Sequence, residues 1–444
     1  MTHSTFDISD FQYLQAFRQL LPRRLLQQAV RSACHVRTRL RCLPAYLVLS
    51  TLVAWFFYAP AKLPFIVGWL CRQPKRLPSD SALYQARARL GWGPLRWLCR
   101  RVLRPLADPA RDPSAFYDGW RLLAVDGTTF TVADTPANER TFGRASNQHG
   151  GSGYPLMRLV ALCEVGTHAL LRWITRSFRV GEQTLAARLW PQVPPGALLL
   201  ADCNFHSYAL WLAAAGGGWD VLLRVQAGPK FAVDQRLRDG SYLSWVYPRR
   251  GKNKKARRLR VRVITYSWTD EHGTSHTARL LTSLLDAAQH PARVLVDVYH
   301  RRWEQEGVFR EIKAALAGRV TQVRAQEPLR ALQELDGLLL GHWLVRAVIL
   351  EAARQKKVPP VTISFTGTLR VLRYRLGALP ETPGRWRRWW QGILEAVGRE
   401  KVQRRRRRRC PRKKKVTRMA WPAKRREDKE KPIPMFVIVQ EAPA

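Results

Sequence analysis

Three acidic side chains, far apart in the chain, stand where they could do chemistry. Asp126 closes the apolar run LLAVDGTT with Gly127 behind it, and Asp202 closes ALLLADCNF. Glu306 lies in a segment of helical spacing that opens near Tyr299. There Tyr299, Arg302, Glu306, Arg310 and Lys313 recur at three- and four-residue intervals. At about 100° per residue these five fall within a sector of roughly 80°. One polar face is expected, with Glu304 pointing to another side and Val308 and Ile312 opposite it for burial. Cutting or joining a phosphodiester needs an activated nucleophile and a neutralised leaving oxygen, which two Mg²⁺ ions about 3.5 to 4 Å apart supply. Such hard ions take carboxylate oxygens, and Arg302, Arg310 and Lys313 could grip flanking phosphates. Each piece also has a plainer reading. An aspartate at a strand end is a common turn former, and a polar helical stripe can be a solvated face laced with ion pairs. Tyr299 and Trp303 within the stripe argue against full solvation.

The elements that must carry these residues are of mixed α/β type. Residues 1 to about 110 have helical spacing, in LPRRLLQQAVRSAC and SALYQARARLGWGPLRWLCRRVLRPL, with Ser79 or Ser81 placed to cap the second helix. This basic helical unit is either a DNA-docking domain or a packed bundle whose arginines solvate it. From Trp120 the pattern alternates and is rich in β-branched residues, as in RLLAVDGTTFTVAD, LMRLVALCEV and HALLRWITRSF, with the helical RVGEQTLAARLW between strands. Four further strands are expected over about 220–285: VLLRVQAG, SYLSWVYP, RLRVRVITYSW and HTARLLTSLL. Nine basic residues crowd positions 249–262, a basic loop or a solvated hairpin tip. Helical spacing returns from Val294 and runs through LRALQELDGLLLGHWLVRAVILEAARQ. Domains are expected at 1–112, at 113–398 with the β-rich insertion at about 220–285, and at 399–444, a basic tail that does not fold alone. That tail includes six consecutive arginines at 404–409.

Lys and Arg number 76 against 33 Asp and Glu, a formal net charge of +43, while 46% of the 444 residues are hydrophobic. That much apolar content excludes a purely disordered basic chain. Only +14 of the excess lies between Arg399 and Lys431, so positive charge is spread over the folded body, and nucleic acid is the expected partner. Seven scattered cysteines with no C-x-x-C pair suit a reducing compartment. The apolar stretch 45–59 is shorter than the roughly 18 residues of a membrane span and is bracketed by Pro44 and Pro60, so a buried helix and no membrane partner are expected. The opening MTHSTFDISD carries acids where a secretory signal carries bases, which points to a cytoplasmic location.

The spacing Tyr299-x2-Arg302-x3-Glu306-x6-Lys313, with Trp303 after the arginine, resembles the Tyr-Arg-Glu-Lys signature of the insertion sequence 4 family of bacterial DDE transposases. LLAVDGTTFTVADTPANERTFG and LLLADCNF resemble the family's two aspartate blocks. LPRRL, LPAYLVLSTLVAW and LPSDSALYQARARLG resemble its N-terminal domain, so the likeness runs from about residue 20 to 375. It implies an RNase H-like core interrupted by a β-rich insertion in the 104-position spacing from Asp202 to Glu306. It further implies that Asp126, Asp202 and Glu306 are catalytic and hold two Mg²⁺, for which Mn²⁺ can substitute. Tyr299, Arg302, Trp303, Arg310, Lys313 and Arg224 would meet DNA, although Arg224 can equally be an ordinary strand-end arginine. The activity implied is that of a nucleoid-associated enzyme that binds terminal inverted repeats, cuts beside them and joins the 3′ hydroxyls to target DNA, with a hairpin at the excised end. A homodimer would pair the ends, and the helix near 328–354 offers it apolar surface unless that helix is core. In relatives a Trp of the insertion accepts a flipped base; Trp245 and Trp268 are candidates, and the role stays unassigned. The second block often reads Ala-Asp-Arg-Gly-Phe, whereas this chain has Cys203 and Asn204. Two rivals remain, a transposase-derived DNA-binding protein that does not cut and an RNase H-like nuclease that does not join strands.

Overall fold

The computed structural model describes residues 21–402, apart from 34–42, 59–60, 72–76, 148–149, 152, 227–229, 249–256, 270–274, 315, 317–320 and 377–382. The arginine-rich tail beyond 402, most of the basic run at 249–262, and Cys34, Cys42 and Cys410 therefore lie outside the described residues.

One mixed sheet organises the chain. Its first three long strands, β1 (Trp120–Thr131), β2 (Leu156–Glu164) and β3 (Leu170–Ser177), form an antiparallel meander. Then β4 (Ala197–Ala201) pairs in parallel with β1, and β5 (Asp220–Val225) in parallel with β4. The order 3-2-1-4-5, three strands antiparallel and two parallel, is that of an RNase H-like core. The same sheet continues through β6 (Tyr242–Val246), β7 (Leu259–Thr269) and β8 (Ser275–Thr282), because β8 docks antiparallel on β5 and is followed outward by β7 and β6. The strand at 220–225, expected to open the insertion, is thus the fifth strand of the core. The inserted strands lengthen the core sheet instead of forming a layer of their own.

Both faces of β1 and β4 are covered, which is why each reads as a nearly unbroken apolar run. Alternate residues point to opposite faces. Leu123, Val125, Leu199 and Ala201 pack on one side with α7 (Glu182–Ala186) and α8 (Tyr208–Gly217), reached after five N-terminal helices and α6 (Pro136–Phe142). Leu122, Ala124, Leu198 and Leu200 pack on the other side with Leu295, Val298 and Tyr299 of α9 (Ala292–His300). Beside α9 on that second face lies α10 (Glu304–Ala314), whose Val308, Phe309 and Ile312 share a cluster with Phe130 of β1.

The N-terminal helices are α1 (Arg23–Ala33), α2 (Ala45–Tyr58), α3 (Leu63–Leu70), α4 (Asp80–Leu90) and α5 (Gly93–Val102). Ser79 caps α4 by accepting the Ala82 N–H at 3.1 Å, as one of the two serines should. The apolar stretch from 45 is α2, buried from Leu47 to Phe57. No helix among the described residues is long and apolar enough to cross a membrane. Its cover is α11 (Pro328–Lys356), followed by α12 (Phe365–Leu376) and α13 (Pro383–Arg399). N-terminal and C-terminal helices thus share one hydrophobic cluster with the second face of the sheet. Most of α11 from Ala331 to Ala353 is buried within its own chain, so its apolar residues form core and are not left over for a second copy.

The crossing of α2 and α11 is close because two glycines permit it. A Cβ at Gly341 would stand 2.3 Å from Phe56 Cβ, and one at Gly337 would stand 2.9 Å from the Leu52 carbonyl oxygen. Gly341→Ala would gain about 1 kcal/mol of helix propensity and lose about 3 kcal/mol to overpacking. The expected net loss of about 2 kcal/mol would be read from denaturant unfolding, and a stabilised variant would show that the two helices separate freely.

Candidate active site

Register brings the two aspartates together. Val125 of β1 pairs with Ala201 of β4, so Asp126 and Asp202, one residue on, stand side by side on parallel neighbours, about 4.8 Å apart along the hydrogen-bonding direction. Both point to the face covered by α9 and α10, since Ala124 and Leu200 do. Asp126 does not end its strand as expected; β1 runs on to Thr131, and the aspartate sits in mid-strand with its carboxylate accepting the Gly127 N–H at 2.8 Å. Asp202 does end its strand and accepts the Cys203 N–H at 2.7 Å.

The two acids have opposite electrostatics. Burial raises the Asp126 pKa to about 6; the Gly127 N–H and Arg302 oppose the rise, while Glu182 and Asp202 add to it. Burial pushes Asp202 up as well, but the Cys203 N–H, Arg224 and Arg302 outweigh it and hold the carboxyl below its ordinary value. Arg224 reaches Asp202 Oδ1 at 3.1 Å, so this strand-end arginine touches an acid of the pair. Burial likewise raises the Tyr299 hydroxyl to about 12. The Tyr299 hydroxyl and Arg302 Nε are buried without hydrogen-bond partners.

The expected single polar face is corrected here. Tyr299 ends α9, a 3₁₀ turn follows at Arg301–Trp303, and α10 begins at Glu304. The tighter turn breaks the 100° rhythm. Tyr299 and Arg302 are consequently buried beside the aspartates, whereas Trp303, Glu306 and Arg310 are exposed. Lys313 is drawn back to the sheet, its Nζ donating to Thr128 Oγ1 at 2.7 Å, and burial lowers its pKa. Glu304 faces away from Glu306, as expected, and meets His168 at 2.8 Å. Of the insertion tryptophans, Trp245 has one ring face occupied by Arg258, whose guanidinium carbon is 3.9 Å from the ring centroid; Trp268 lies on β7 opposite His276.

Asp126 and Asp202 suit a divalent cation by donor type, and the unpaired Tyr299 and Arg302 atoms beside them suit oxygen atoms of a further ligand. Among the described residues, no three carboxylate, imidazole or thiol groups stand close enough together to enclose a metal ion. The sheet supplies two acids, and Glu306 is the exposed acid on the facing helix.

Several residues at the site carried no motif. Glu182, in the first turn of α7, packs its carboxylate over Gly127, where a Cβ would be 2.6 Å from Glu182 Cδ. Gln305 is buried under β2, with Nε2 3.3 Å from Cys163 Sγ. His168, Glu311, His342 and Arg346 form a buried polar cluster behind α10. The one sequence signal for that cluster was Gly307, a glycine inside a helix, which marks a close approach.

The raised Asp126 pKa has a sign that can be tested on metal-free protein. A carboxyl near 6 in the folded state, against about 3.9 unfolded, favours folding fully below pH ~4 and loses that contribution as pH rises through 6. Asp126→Asn should be more stable than the parent by roughly 2 kcal/mol at pH 8 and no more stable at pH 4. Thermal unfolding at both values checks this; an equal difference at both would show that burial does not hold the proton.

Comparison with known proteins supplies the family. Residues 119–340 match the model of the transposase DDE domain, and residues 12–100 match that of the insertion element 4 transposase N-terminal domain. The transposase InsG for insertion sequence element IS4 of Escherichia coli is 28% identical over 374 residues, covering 81% of this chain and 83% of its own. The putative transposase InsZ of the same organism is 30% identical over 204 residues, 45% of this chain and 66% of its own. Among solved structures, the piggyBac transposase synaptic complex with hairpin DNA overlays with a TM-score of 0.41 at 13% identity, covering 89% of this chain and 78% of that one. With both family models matched in order and the first spanning half the chain, this protein belongs to the DDE transposases of the insertion sequence 4 family.

Proposed function

We propose that the chain binds the terminal inverted repeats of its own element, cleaves beside them and transfers the 3′ hydroxyls to target DNA. The observation that carries this reading is the β1 to β4 register, which sets Asp126 and Asp202 side by side on one face with Arg302 near both. Asp126, Asp202 and Glu306 would hold two Mg²⁺, Glu306 by turning its exposed side chain toward the sheet. Bound there, the ions would activate the attacking oxygen and neutralise the leaving one.

The chain's own groups have separate tasks. Arg224 now neutralises Asp202 at 3.1 Å; a cation at the acids would free it to take a phosphate oxygen of the bound strand. Arg302 is less than a tenth exposed, so a phosphate reaching it is stripped of water, which strengthens the charge-assisted contact. Lys313 holds Thr128 and stands two turns from Glu306 on one side of α10, which sets it to grip the strand on the far side of the cut. Trp303, 58% exposed, and Arg310 would extend that contact outward, and the Tyr299 hydroxyl would meet the backbone at the cleaved end. The second strand would be cut through a hairpin, and two copies would hold the paired ends.

Asp202→Asn should abolish Mg²⁺-dependent cleavage of a duplex bearing the element's end and leave its gel shift within about twofold; full cleavage by the variant overturns the role. Precut ends then separate the neighbouring readings. Joined product supports transposition, cleavage without joining leaves a nuclease, and binding with neither leaves a non-cleaving DNA-binding protein.

A further inference from the structure

The helix that presents Glu306 is fastened from behind, and we propose that His168 is a positioning residue for phosphoryl transfer. In this role it sets the rotation and axial placement of α10. The inference rests on the assignment of Glu306 made above. His168 belongs to the turn between β2 and β3 and adopts φ +60°, a left-handed conformation unusual for a residue with a side chain. Its backbone N–H donates to the Glu164 carbonyl at 2.9 Å, which closes the turn and aims the ring at α10.

The ring spans two helical turns. Nε2 lies 2.8 Å from Glu304 Oε2 and Nδ1 lies 3.0 Å from Glu311 Oε1, groups that a straight helix separates by about 10 Å. Between them the imidazole lies against Gly307, where a Cβ would come within 3.0 Å of His168 Cε1. The helix therefore gives up a side chain at the one place where the ring must pass. Glu311 is fixed in turn by α11, through an ion pair with Arg346 and a 2.9 Å contact with His342 Nε2. Burial opposes the Glu311 charge, but Arg346 and His168 outweigh it.

Glu306 stands about 200° around the helix from Glu304, so fastened and reactive faces are opposite. Pinning residues 304 and 311 leaves no freedom to rotate the residue between them. A misplacement of 1 Å at a reacting group can cost about 100-fold in rate, and loss of groups that orient metal ligands costs about 10- to 100-fold.

The test uses the full chain with His168→Ala, His168→Gln and Glu306→Gln. His168→Ala should lower kcat for end cleavage by about 10- to 100-fold with KM and gel-shift affinity within about twofold, and His168→Gln should recover part of the loss. Mn²⁺ titration followed by electron paramagnetic resonance should show weaker binding in His168→Ala. Hydrogen exchange should quicken in 304–314 but not in β1 or β4. Parental kcat with unchanged exchange in α10 overturns the inference, as does a fall in kcat matched only by loss of folded protein on circular dichroism. Full cleavage by Glu306→Gln removes the underlying assignment instead, so the two failures are told apart.

Discussion

Everything at the site depends on β1 and β4 pairing in one register. The strands are joined through the whole antiparallel meander and α7, so the pairing of Val125 with Ala201 is a non-local contact. It is secured by burial on both faces: Leu122 and Leu198 face α9, while Leu123 and Leu199 face α7 and α8. Because side chains alternate with a period of two, a slip of one residue would send one aspartate to the opposite face, where the apolar residues of α7 and α8 pack. Hydrophobic patterning therefore enforces the meeting of two like charges that would otherwise repel.

That repulsion is managed unequally. Asp202 keeps its charge with help from the Cys203 N–H, Arg224 and Arg302, whereas burial raises the Asp126 carboxyl to about 6. Ionising Asp126 therefore costs the fold stability above pH 6, and positive charge arriving at the acids would relieve that cost. Around the acids the arginines and Lys313 come from three elements, β5, the 3₁₀ turn and α10. A docking polyanion would therefore be held from more than one side.

Much of this was legible in the sequence because buried parallel strands print themselves as short apolar runs, and both aspartates adjoin one. Val308 and Ile312 mark the buried side of α10, and α2 is recognisable by being apolar all round yet too short for a membrane. What could not be read was local geometry and distant pairing. Arg301–Trp303 has the same spacing whether the backbone is α or 3₁₀, so spacing alone puts Tyr299 and Arg302 on the face of Glu306, whereas they lie against the sheet. The run at 220–225 looks like the inserted strands that follow it. Only its pairing with β4 makes it core. The fastening of α10 joins His168 to residues 136 to 178 positions away, and nothing in the neighbourhood of that histidine declares such partners.

The insertion's attachment has a geometric consequence. Since β8, β7 and β6 extend the sheet edge by edge from β5, these inserted strands are hydrogen-bonded into the core sheet instead of joined to it by a loop alone. Four strand steps separate Asp202 on β4 from Trp245 on β6, which at about 4.8 Å each is about 19 Å. Stacked duplex rises about 3.4 Å per base pair, so that span measures off some five to six base pairs. The distance of any grip on the outer strands from the acids would follow from the number of strands between them, modified by the twist of the sheet.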